Sequence, residues 1–371
     1  MRIALVSPFD PHDGPDGAHV GGVERVYAEL SQRLANRGHD VTLISTTSAP
    51  PSGRADGVRR VHERRRLTIM RTPVARLARH VPRDADVVQV PATYPFTTPP
   101  VLRRARQLGI PSVLDFHFEP VPGGVVGRWA AKWYGMIGPR SYPLADAVIV
   151  RSHAYARHAP SLARTSPARW RIVPNGIDTD RFRPDGPART GDYLLFVGRL
   201  VPYKGVDVLL RALQRVRAAP PLLIAGDGPL RRRWETLGNR LRVDVTWLGH
   251  VRDEDLPGLY RGAKLTILPS VSRQEAFGIT LLESMACGTP VVASALPGVG
   301  ELAHVGGRVA APGDPKALAD AIANALHGDL PRGPSLSSRV RETYSWEAIT
   351  DRVASIYDEI RRGTGNGGGD A

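Results

Sequence analysis

Two carboxylates in the second half of the chain, Glu275 and Glu283, stand eight positions apart in an otherwise apolar stretch. Eight residues of a continuous helix turn through about 800°, so these side chains would point about 80° apart rather than along one face. A helix that begins near Gly278 instead leaves Glu275 in the preceding loop. At such a helix start the backbone amides of Phe277, Gly278 and Ile279 would be free. Together with Glu275, these amides could bind sugar hydroxyls.

The alternative for this segment is a pair of surface carboxylates near a helix start. The apolar residues 279–282 and the small apolar residues that follow them fit that alternative poorly. A carboxylate embedded in a buried helix usually has a hydroxyl or cation partner. The pattern therefore favours a binding role for Glu275 and Glu283.

A second group is cationic and lies between a predicted strand and a predicted helix. It contains Arg199 and Lys204, with glycine at Gly198 and Gly205. Two cations beside a helix start can neutralise a diphosphate without a metal ion. Lys204 is one of only four lysines in a chain that otherwise uses arginine, which hints that an ammonium group is required there. The alternative is a solvated pair of charges at a helix end.

Three further segments are weaker indicators on their own. Gly21 and Gly22 precede the first predicted helix, where glycine allows an anionic ligand to approach the backbone. Residues 226–229 (Gly-Asp-Gly-Pro) follow a strand, and we expect a turn with a mainly structural role. Residues 178–180 spell Asp-Thr-Asp, a pattern used by metal-dependent transferases of another fold, but the adjacent Arg181 favours a structural interpretation.

Composition excludes several classes of protein. A single cysteine, Cys287, rules out an intramolecular disulfide and argues against a cysteine-based zinc site, so core packing is its expected role. Apolar residues make up 42% of the chain and charged residues 23%, as in soluble globular proteins. No segment resembles a signal peptide or approaches the roughly 20 apolar residues of a membrane helix. We expect a cytoplasmic protein, with peripheral attachment to the inner face of the cell membrane as a further option.

The net charge of +14 is concentrated in the first half of the chain. Residues 1–170 contain 24 Lys and Arg against 13 Asp and Glu, whereas residues 171–371 contain 26 against 23. The excess peaks from Arg59 to Arg83, which suits an anionic membrane surface, a phosphorylated acceptor or nucleic acid. The alternative is a general preference for arginine. Part of this stretch has the spacing of a short amphipathic stripe that could lie on a membrane surface, although a stripe of this spacing more often faces the protein core: Val74, Leu77 and Val81.

Short apolar runs alternate with amphipathic segments, which predicts parallel sheets covered by helices on both faces. In the first half we expect one early helix, 22–36, and five strands: 2–7, 41–44, 86–90, 113–116 and 147–150. In the second half we expect five strands and four helices: strands 193–197, 222–225, 243–248, 265–268 and 291–293, and helices 206–216, 230–237, 279–286 and 315–326.

The domain organisation follows from a Pro/Gly-rich break between residues 184 and 191. We expect an α/β fold of two Rossmann-like, doubly wound parallel-sheet domains that face each other across a cleft, with ligands at the carboxyl ends of the strands. The domains would span 1–183 and 184–345. A last helix, 346–362, would begin after Ser345 as its N-cap, and the Gly-rich residues 363–371 would form a disordered tail.

Six segments together resemble the retaining nucleotide-sugar glycosyltransferases of the group 1 (family 4) type, which have the GT-B fold. The resemblance covers almost the whole chain, and the segments occur in the order of the family: 21–26, 37–41, 174–178, 198–205, 226–229 and 275–283. It implies that the last helix crosses back to the first domain, that the first domain lies on the acceptor side and that the second binds the donor.

The resemblance also implies a role for each matching donor-side residue. Arg199 and Lys204, in the loop that starts at Gly198, would hold the donor diphosphate and stabilise its charge as it leaves. Gly22 would contribute a backbone amide to the same phosphates. Glu283 would hydrogen-bond the ribose hydroxyls.

The remaining roles concern the transferred sugar. Glu275 and the amides around Phe277, Gly278 and Ile279 would bind this sugar. His117, just past the strand 113–116, resembles the histidine that the family places near the reacting sugar. A polar residue at a strand end is the alternative for His117.

The reaction implied by the resemblance is transfer with retention at the anomeric carbon, in which the departing phosphate helps to accept the proton of the acceptor. The protein would position the reactants and stabilise charge, without a metal or another cofactor. We expect a GDP- or UDP-linked hexose of the mannose or glucose type. The acceptor would be lipid-linked, phosphorylated or a glycan, in envelope glycolipid or polysaccharide assembly.

Three alternatives belong to other classes. A sugar-nucleotide epimerase shares the GT-B architecture, but the motifs are those of the transferases. A nicotinamide oxidoreductase would need Gly-x-Gly-x-x-Gly, and the nearest fragment, residues 298–300, lacks the third glycine. A nucleic-acid-binding protein would use the basic first half, which shows neither a helix-turn-helix nor an aromatic-rich basic ribbon, so we expect no nucleic-acid partner.

Overall fold

The computed structural model of this chain describes residues 1–10, 22–47, 53–65, 67–69, 72–119 and 138–365. Several positions lie outside that part of the chain: Gly21, Arg66 and Arg71 of the basic stretch between Arg59 and Arg83, and the tail from residue 366 onwards. The chain divides into two compact units. Unit 1 contains 1–174 and 349–371, and unit 2 contains 175–348.

Unit 1 is built on an eight-stranded sheet in the order β10-β9-β8-β7-β1-β2-β4-β3, and β5 and β6 form a separate two-stranded sheet. Neighbouring strands of the large sheet are parallel except β3 and β4. The ten strands are β1 (Arg2–Val6), β2 (Asp40–Thr47), β3 (Gly53–Ala55), β4 (Val58–Arg64), β5 (Leu67–Ile69), β6 (Thr72–Val74), β7 (Val87–Pro91), β8 (Ser112–Phe116), β9 (Ala147–Val150) and β10 (Trp170–Ile172). The described α-helices before residue 175 are α1 (Gly22–Asn36), α2 (Thr98–Leu108) and α3 (His153–Arg157).

The central strands of unit 1 are buried along their whole length. Every residue of β7, β8 and β9 is buried, as expected for parallel strands covered on both faces. These three strands are neighbours in the sheet. Their carboxyl ends therefore meet at one edge, which brings the residues after β8 and β9, including His117 and Arg151, close together.

The basic stretch of unit 1 does not present the predicted amphipathic stripe to its surroundings. Leu77 is 1% exposed and Val81 is 3% exposed, while Val74 is half-buried on β6. The core-facing alternative for this stripe is therefore the one observed for Leu77 and Val81, and the stripe gives no support to the membrane hypothesis. The spacing of a membrane-surface stripe and of a core-facing stripe is the same, so the sequence pattern alone could not separate them.

Unit 2 is built on a six-stranded parallel sheet in the order β13-β12-β11-β14-β15-β16. Its strands are β11 (Tyr193–Val197), β12 (Leu222–Ala225), β13 (Val245–Gly249), β14 (Ala263–Leu268), β15 (Val291–Ser294) and β16 (Gly307–Ala310). The helices from here to the end are α4 (Val206–Leu213), α5 (Arg231–Leu241), α6 (Leu256–Gly262), α7 (Ile279–Ala286), α8 (Val299–Ala303), α9 (Pro315–His327), α10 (Gly333–Tyr344) and α11 (Trp346–Gly365). The α/β architecture with two parallel sheets is confirmed.

The core of unit 2 covers both faces of its sheet. Leu195 of β11 packs with the cluster that holds Leu281 and Met285 of α7, whereas the next residue, Phe196, packs with the opposite cluster. This alternation follows from the two-residue period of a strand. Cys287 is 3% exposed and burial raises the pKa of its thiol to about 12, so its role in core packing is confirmed.

The boundary between the units lies earlier than the break at residue 184 suggested. Ile177 and Phe182 are buried in the core of unit 2. The backbone N–H of Ile177 donates to the carbonyl of Tyr344 at 2.8 Å, and Ile177 forms a short parallel bridge with Ser345. These contacts attach the nine residues before 184 to unit 2, so the Pro/Gly-rich break is an internal loop of that unit.

The last helix, α11, begins at Trp346, and the Oγ of Ser345 accepts a hydrogen bond from the backbone N–H of Ala348 at 3.3 Å. One side of this helix is apolar and buried: Ile349, Val353, Ile356 and Tyr357. The helix continues to Gly365, so the first three residues of the predicted disordered tail are helical, because no proline or capping turn ends the helix at 362. Among the described residues, no helix has both the length and the apolar character needed to cross a membrane.

Candidate functional site

The loops that follow β11 and β12 lie against each other, and glycine makes this approach feasible. A Cβ atom on Gly226 would lie 2.1 Å from the carbonyl oxygen of Gly198, and one on Gly228 would lie 2.5 Å from that of Leu200. The backbone N–H of Leu200 donates to the carbonyl of Asp227 at 2.9 Å. The structural role predicted for residues 226–229 is confirmed, because they support the loop that carries Arg199.

Lys204 ends a short 3₁₀ turn, Pro202–Lys204, and its side chain is 11% exposed. This turn is held against the loop that follows β14. The backbone N–H of Val271 donates to the carbonyl of Tyr203 at 2.8 Å, and a Cβ atom on Gly205 would lie 2.1 Å from the carbonyl oxygen of Pro269. Gly205 therefore permits the contact that brings Lys204 to this loop.

The ammonium group of Lys204 pairs with Glu275, a contact that the sequence analysis did not predict. Lys204 Nζ lies 2.6 Å from Glu275 Oε2, and Ser270 Oγ donates to the same oxygen at 3.0 Å. The Glu275 side chain is only 12% exposed. Among the described residues, both hydrogen bonds to this carboxylate go to Oε2, so Oε1 is available to a ligand hydroxyl.

The start of α7 supplies donors beside that carboxylate. Gly278 has φ +84°, and the helix begins at Ile279 as predicted. Within the described chain, no backbone carbonyl accepts from the amides of Phe277, Gly278 or Ile279. Phe277 is buried whereas Ile279 is 41% exposed. A carboxylate oxygen and several free amides in one short segment can bind a polyhydroxylated ligand.

Glu283 lies one turn further along α7 and is half-buried. Its Oε2 accepts a hydrogen bond of 2.6 Å from the hydroxyl of Tyr260, a fully buried residue of α6. Burial, followed by the charge of Glu283, raises the pKa of Tyr260 well above its ordinary value, so this hydroxyl remains a donor. Tyr260 was not predicted, because its spacing on an amphipathic helix is that of any core residue.

Arg199 differs from Lys204 in its surroundings. It is exposed, and its guanidinium has neither a hydrogen bond nor an ion pair with any described residue. Lys204 already has a carboxylate partner in Glu275, whereas Arg199 has none among the described residues. Arg199 follows Gly198, where a Cβ atom would lie 3.6 Å from Lys204 Nζ, so the two cations belong to neighbouring backbone and can both attract an anionic ligand.

His117 lies in unit 1 and is 9% exposed. Its Nε2 lies 3.0 Å from Asp115 Oδ2, and Nη2 of Arg151 lies 3.1 Å from both ring nitrogens. Burial lowers the pKa of His117, although Asp115 opposes that shift. The sequence did not point to Arg151, but Asp115 carried a signal, because a carboxylate within an apolar strand needs a partner.

Gly22 and the Asp-Thr-Asp segment complete the predicted positions. Gly22 starts α1, is exposed, and a Cβ atom there would meet nothing within 4 Å. Asp178 Oδ1 accepts from the backbone N–H groups of Asp180 and Arg181, both at 3.1 Å, which fits the structural interpretation. Where the structure describes the chain, no group of three or more His, Cys, Asp or Glu residues could hold a metal ion.

Comparisons with known proteins agree with these two units. A family model described as "Glycosyltransferase Family 4" matches residues 20–181, and one described as "Glycosyl transferases group 1" matches residues 191–328. A D-inositol 3-phosphate glycosyltransferase of Acidothermus cellulolyticus is 29% identical over 96% of this chain and 90% of its own length. The enzyme of the same name from Mycolicibacterium paratuberculosis is 33% identical, but over 57% of this chain and about half (52%) of its own length.

The fold also has solved counterparts. The structure of sucrose-phosphate synthase from Thermosynechococcus elongatus has a TM-score of 0.72 and 24% identity, and the match covers 98% of this chain and 99% of that one. None of these matches supports the epimerase alternative. The two family models together match most of the chain, and the solved structure has the fold that the sequence motifs implied. This chain is therefore a member of the group 1 glycosyltransferases and has the GT-B fold.

Proposed function

We propose that this glycosyltransferase moves a hexosyl group of the mannose or glucose type from a GDP- or UDP-linked sugar to a phosphorylated acceptor, with retention at the anomeric carbon and without a metal ion. The observation that carries the proposal is the cluster of Lys204, Glu275 and Ser270 beside the uncompensated Arg199. It combines cationic groups for a diphosphate with hydrogen-bonding groups for a sugar.

The diphosphate binds to Arg199 and Lys204 in this proposal. An arginine can hold two phosphate oxygens through parallel hydrogen bonds, whereas the lysine acts as a compact charge. Glu275 fixes the position of the Lys204 ammonium group before the ligand arrives, because the two groups are nearly buried and 2.6 Å apart. Preorganised cations of this kind stabilise a leaving diphosphate without rearrangement, so the proposed reaction has no metal-dependent step.

The two sugars of the donor bind along α7. Glu275 Oε1 accepts from hydroxyls of the transferred sugar, and the amides of Phe277, Gly278 and Ile279 donate to its oxygens. Glu283, oriented by the hydroxyl of Tyr260, accepts from the ribose hydroxyls. A carboxylate suits a cis-diol because each of its oxygens accepts one hydroxyl proton.

The transfer step breaks the bond between the anomeric carbon and the diphosphate oxygen and forms a bond from the same carbon to the acceptor oxygen on the same face. The acceptor proton passes to the departing phosphate oxygen, so the products are the glycoside and the nucleoside diphosphate. Arg199 and Lys204 stabilise the negative charge that develops on the leaving group. By the family resemblance, His117 also contributes to the transfer.

A phosphorylated acceptor is favoured over the other classes by two observations. The relatives from Acidothermus and Mycolicibacterium are named for an inositol phosphate. The first half of the chain, which is the acceptor side in the family, carries 24 cations against 13 carboxylates. A basic surface of this kind raises the local concentration of anionic acceptors.

The test is a transfer assay with purified protein, UDP-glucose or GDP-mannose, and an acceptor panel of inositol 3-phosphate, free inositol and membrane lipid extract. We expect product with the phosphorylated acceptor in the presence of EDTA, with the α-configuration of the donor retained in the proton NMR spectrum. The Lys204→Met variant is the control for background turnover.

Three other outcomes would each contradict part of the proposal. An inverted product excludes retention, and activity that requires added Mg²⁺ excludes the metal-independent step. Transfer to lipid extract alone replaces the phosphorylated acceptor by a lipid-linked one. In that case co-sedimentation with anionic liposomes, at low and physiological salt, would show whether the basic half binds a membrane surface.

A further inference from the structure

A chain of hydrogen bonds inside unit 1 joins the last helix of the protein to His117. The hydroxyl of Tyr357, on α11, donates to Gln89 Oε1 at 2.5 Å. Gln89 Nε2 donates to Asp115 Oδ2 at 3.0 Å, and the same carboxylate oxygen lies 3.0 Å from His117 Nε2. Three elements far apart in the sequence, β7, β8 and α11, therefore meet in one side-chain network.

Arg151 closes the network from the end of β9. Its guanidinium donates to Asp115 Oδ1 and, at 2.8 Å, to the carbonyl of Val173. It also lies 3.1 Å from each ring nitrogen of His117. Asp115 thus receives donors on both oxygens, and His117 is contacted on both sides.

All of these groups are removed from water. Tyr357 is fully buried, Gln89 and Asp115 are each 1% exposed, and Arg151 is 4% exposed. Solvent cannot replace a missing partner at such a site, so each hydrogen bond restricts the orientation of the next group. The network is therefore able to transmit a change at Tyr357 to the imidazole.

The direction of the donors defines the tautomer of His117. Burial alone would raise the pKa of Asp115, but Arg151 and His117 outweigh burial and hold that pKa below its ordinary value, so the carboxylate is ionised and only accepts. His117 Nε2 must then carry the proton. Arg151 Nη2 lies equally close to both ring nitrogens, but only Nε2 also faces the Asp115 carboxylate, so Nδ1 is the nitrogen left to accept from the guanidinium. A second proton on the ring would face the guanidinium.

We propose that Tyr357 is a positioning residue for His117, which acts through Gln89 and Asp115, and that the network holds the imidazole as the neutral Nε2–H tautomer. This inference rests on the proposed function at one point only, namely the contribution of His117 to glycosyl transfer. The state of the imidazole itself is a property of unit 1 and can be measured without any substrate.

The other groups around His117 do not compete for its proton. The ring of Tyr27, on α1, lies 6.4 Å from the imidazole, and burial raises the pKa of its hydroxyl well above the ordinary value. The same holds for Tyr357, so both are neutral hydroxyls over the physiological range. The charged groups that face His117 are Asp115 and Arg151.

The decisive variant is Tyr357→Phe, which removes one hydroxyl and keeps the ring. Gln89 then loses its fixed orientation, Asp115 loses part of its hydrogen bonding, and the less stabilised carboxylate attracts a proton on the imidazole more strongly. We expect the titration midpoint of His117 to rise by about 0.5 pH unit or more. The readout is the ¹⁵N and ¹H resonances of the imidazole in histidine-labelled protein, assigned by comparison with His117→Gln.

The matched control is Tyr142→Phe. It also removes a fully buried tyrosine hydroxyl in unit 1, which donates to the carbonyl of Ala92 outside the network. We expect this control to leave the His117 resonances and titration midpoint unchanged. Gln89→Met breaks the same link without altering the tyrosine, so it replaces Tyr357→Phe if that variant does not fold.

Two results would overturn the proposal: a doubly protonated His117 at pH 7 in the unmodified protein, or the same His117 titration in Tyr357→Phe as in Tyr142→Phe. Kinetics separate this inference from the proposed function. If His117 shifts as expected but no donor is turned over, the network stands and the proposed function fails. If transfer occurs and the titration midpoint of His117 does not shift, the network inference fails and the proposed function stands.

Discussion

At the level of single residues, the ammonium group of Lys204 in the proposed donor site is nearly buried and lies 2.6 Å from Glu275. In Lys204→Met, a leaving diphosphate loses one of its two cations, and Glu275 keeps an unpaired charge. We expect kcat/KM for transfer to fall by about 10²–10³. Steady-state kinetics with a saturating acceptor would measure this loss.

The matched control for that variant is Lys264→Met. Lys264 is also in unit 2 and also pairs with a carboxylate, Asp192, at 3.1 Å, but its side chain is 39% exposed. This substitution should leave kcat/KM near the value of the unmodified enzyme. An equal loss of activity in the two variants would contradict the role of Lys204.

Tyr260 offers a second test at this scale, because it touches Glu283 without being a proposed ligand of the donor. Tyr260→Phe removes the 2.6 Å hydrogen bond that orients the carboxylate. A hydrogen bond to a charged group contributes about 1.5–3 kcal/mol, so we expect KM for the donor to rise about tenfold or more with kcat little changed.

Tyr193→Phe is the comparison for Tyr260→Phe, because it removes a buried hydroxyl that donates to the carbonyl of Leu259 at 2.8 Å in the same unit. Its donor KM should match that of the unmodified enzyme. Were KM to rise equally in both variants, the effect would be loss of stability rather than loss of Glu283 orientation.

Residue types pointed to the candidate ligand-binding groups of unit 2 but not to the residues that support them. Glu275 stands out in the sequence because it borders an apolar run, and Lys204 because it is one of only four lysines. Ser270 and Tyr260 gave no such signal, since a serine in a loop and a tyrosine on a helix are ordinary at those places. Their contacts with Glu275 and Glu283 are visible only in the folded structure.

At the element scale, the turn that carries Lys204 depends on Gly205. An alanine there adds the cost of φ +65° and a Cβ atom 2.1 Å from the carbonyl oxygen of Pro269, so the turn must move away from the loop after β14. We expect Gly205→Ala to lower the free energy of unfolding by more than about 2 kcal/mol and to weaken donor binding. Chemical denaturation and calorimetric titration would measure the two effects.

The control for Gly205→Ala is Gly313→Ala in the same unit. Gly313 has a similar φ of +75°, but a Cβ atom there meets nothing within 4 Å. Gly313→Ala should lower the free energy of unfolding by only about 1 kcal/mol, and donor binding should be unchanged. If both alanine variants lose the same stability, the close approach to Pro269 is not what holds the turn in place.

Elements with a local stop signal were predicted closely from the sequence. Helix α7 begins at Ile279 because Gly278 takes a left-handed conformation before it, and α1 spans its predicted residues. Strand β4 was missed because its arginines concealed a half-buried strand that lies next to the edge strand β3. Helix α10 was missed as well, because it starts at Gly333 and Pro334, although proline is well tolerated in a first helical turn.

At the scale of the whole molecule, the two-unit division follows burial rather than composition. The Pro/Gly-rich break predicted a boundary at residue 184, whereas buried Ile177 and Phe182 attach the preceding segment to unit 2. At the other end of unit 2, α11 carries the chain back into unit 1, as the resemblance implied. A linker-like composition marks an exposed loop, but it does not show which core the flanking apolar residues join.

The buried network of unit 1 predicts a pH dependence of stability. The pKa of His117 is lowered by folding, so the unfolded state binds its proton more readily. This contribution to stability is present above the ordinary histidine pKa of about 6.5 and is lost as the pH falls below it. We expect the free energy of unfolding to decrease between about pH 7 and pH 5, as measured by urea denaturation.

His117→Gln should make that decrease smaller, whereas His153→Gln should not, because His153 is exposed on α3 and lies outside the network. If the free energy of unfolding decreases equally with falling pH in the two variants, His117 is not desolvated in solution. Asp115 acts in the same direction, because its pKa is also lowered, but its contribution is lost only at more acidic pH.

We expect unit 2 to bind a nucleoside diphosphate through Arg199, Lys204 and Glu283, which calorimetric titration with UDP and GDP in EDTA would measure. One of the two nucleotides should bind, Glu283→Ala should weaken its binding by about tenfold or more, and the exposed control Glu254→Ala should not. Folded protein that binds neither nucleotide, or Glu283→Ala that binds as tightly as the unmodified enzyme, would show that unit 2 does not bind a donor in this way.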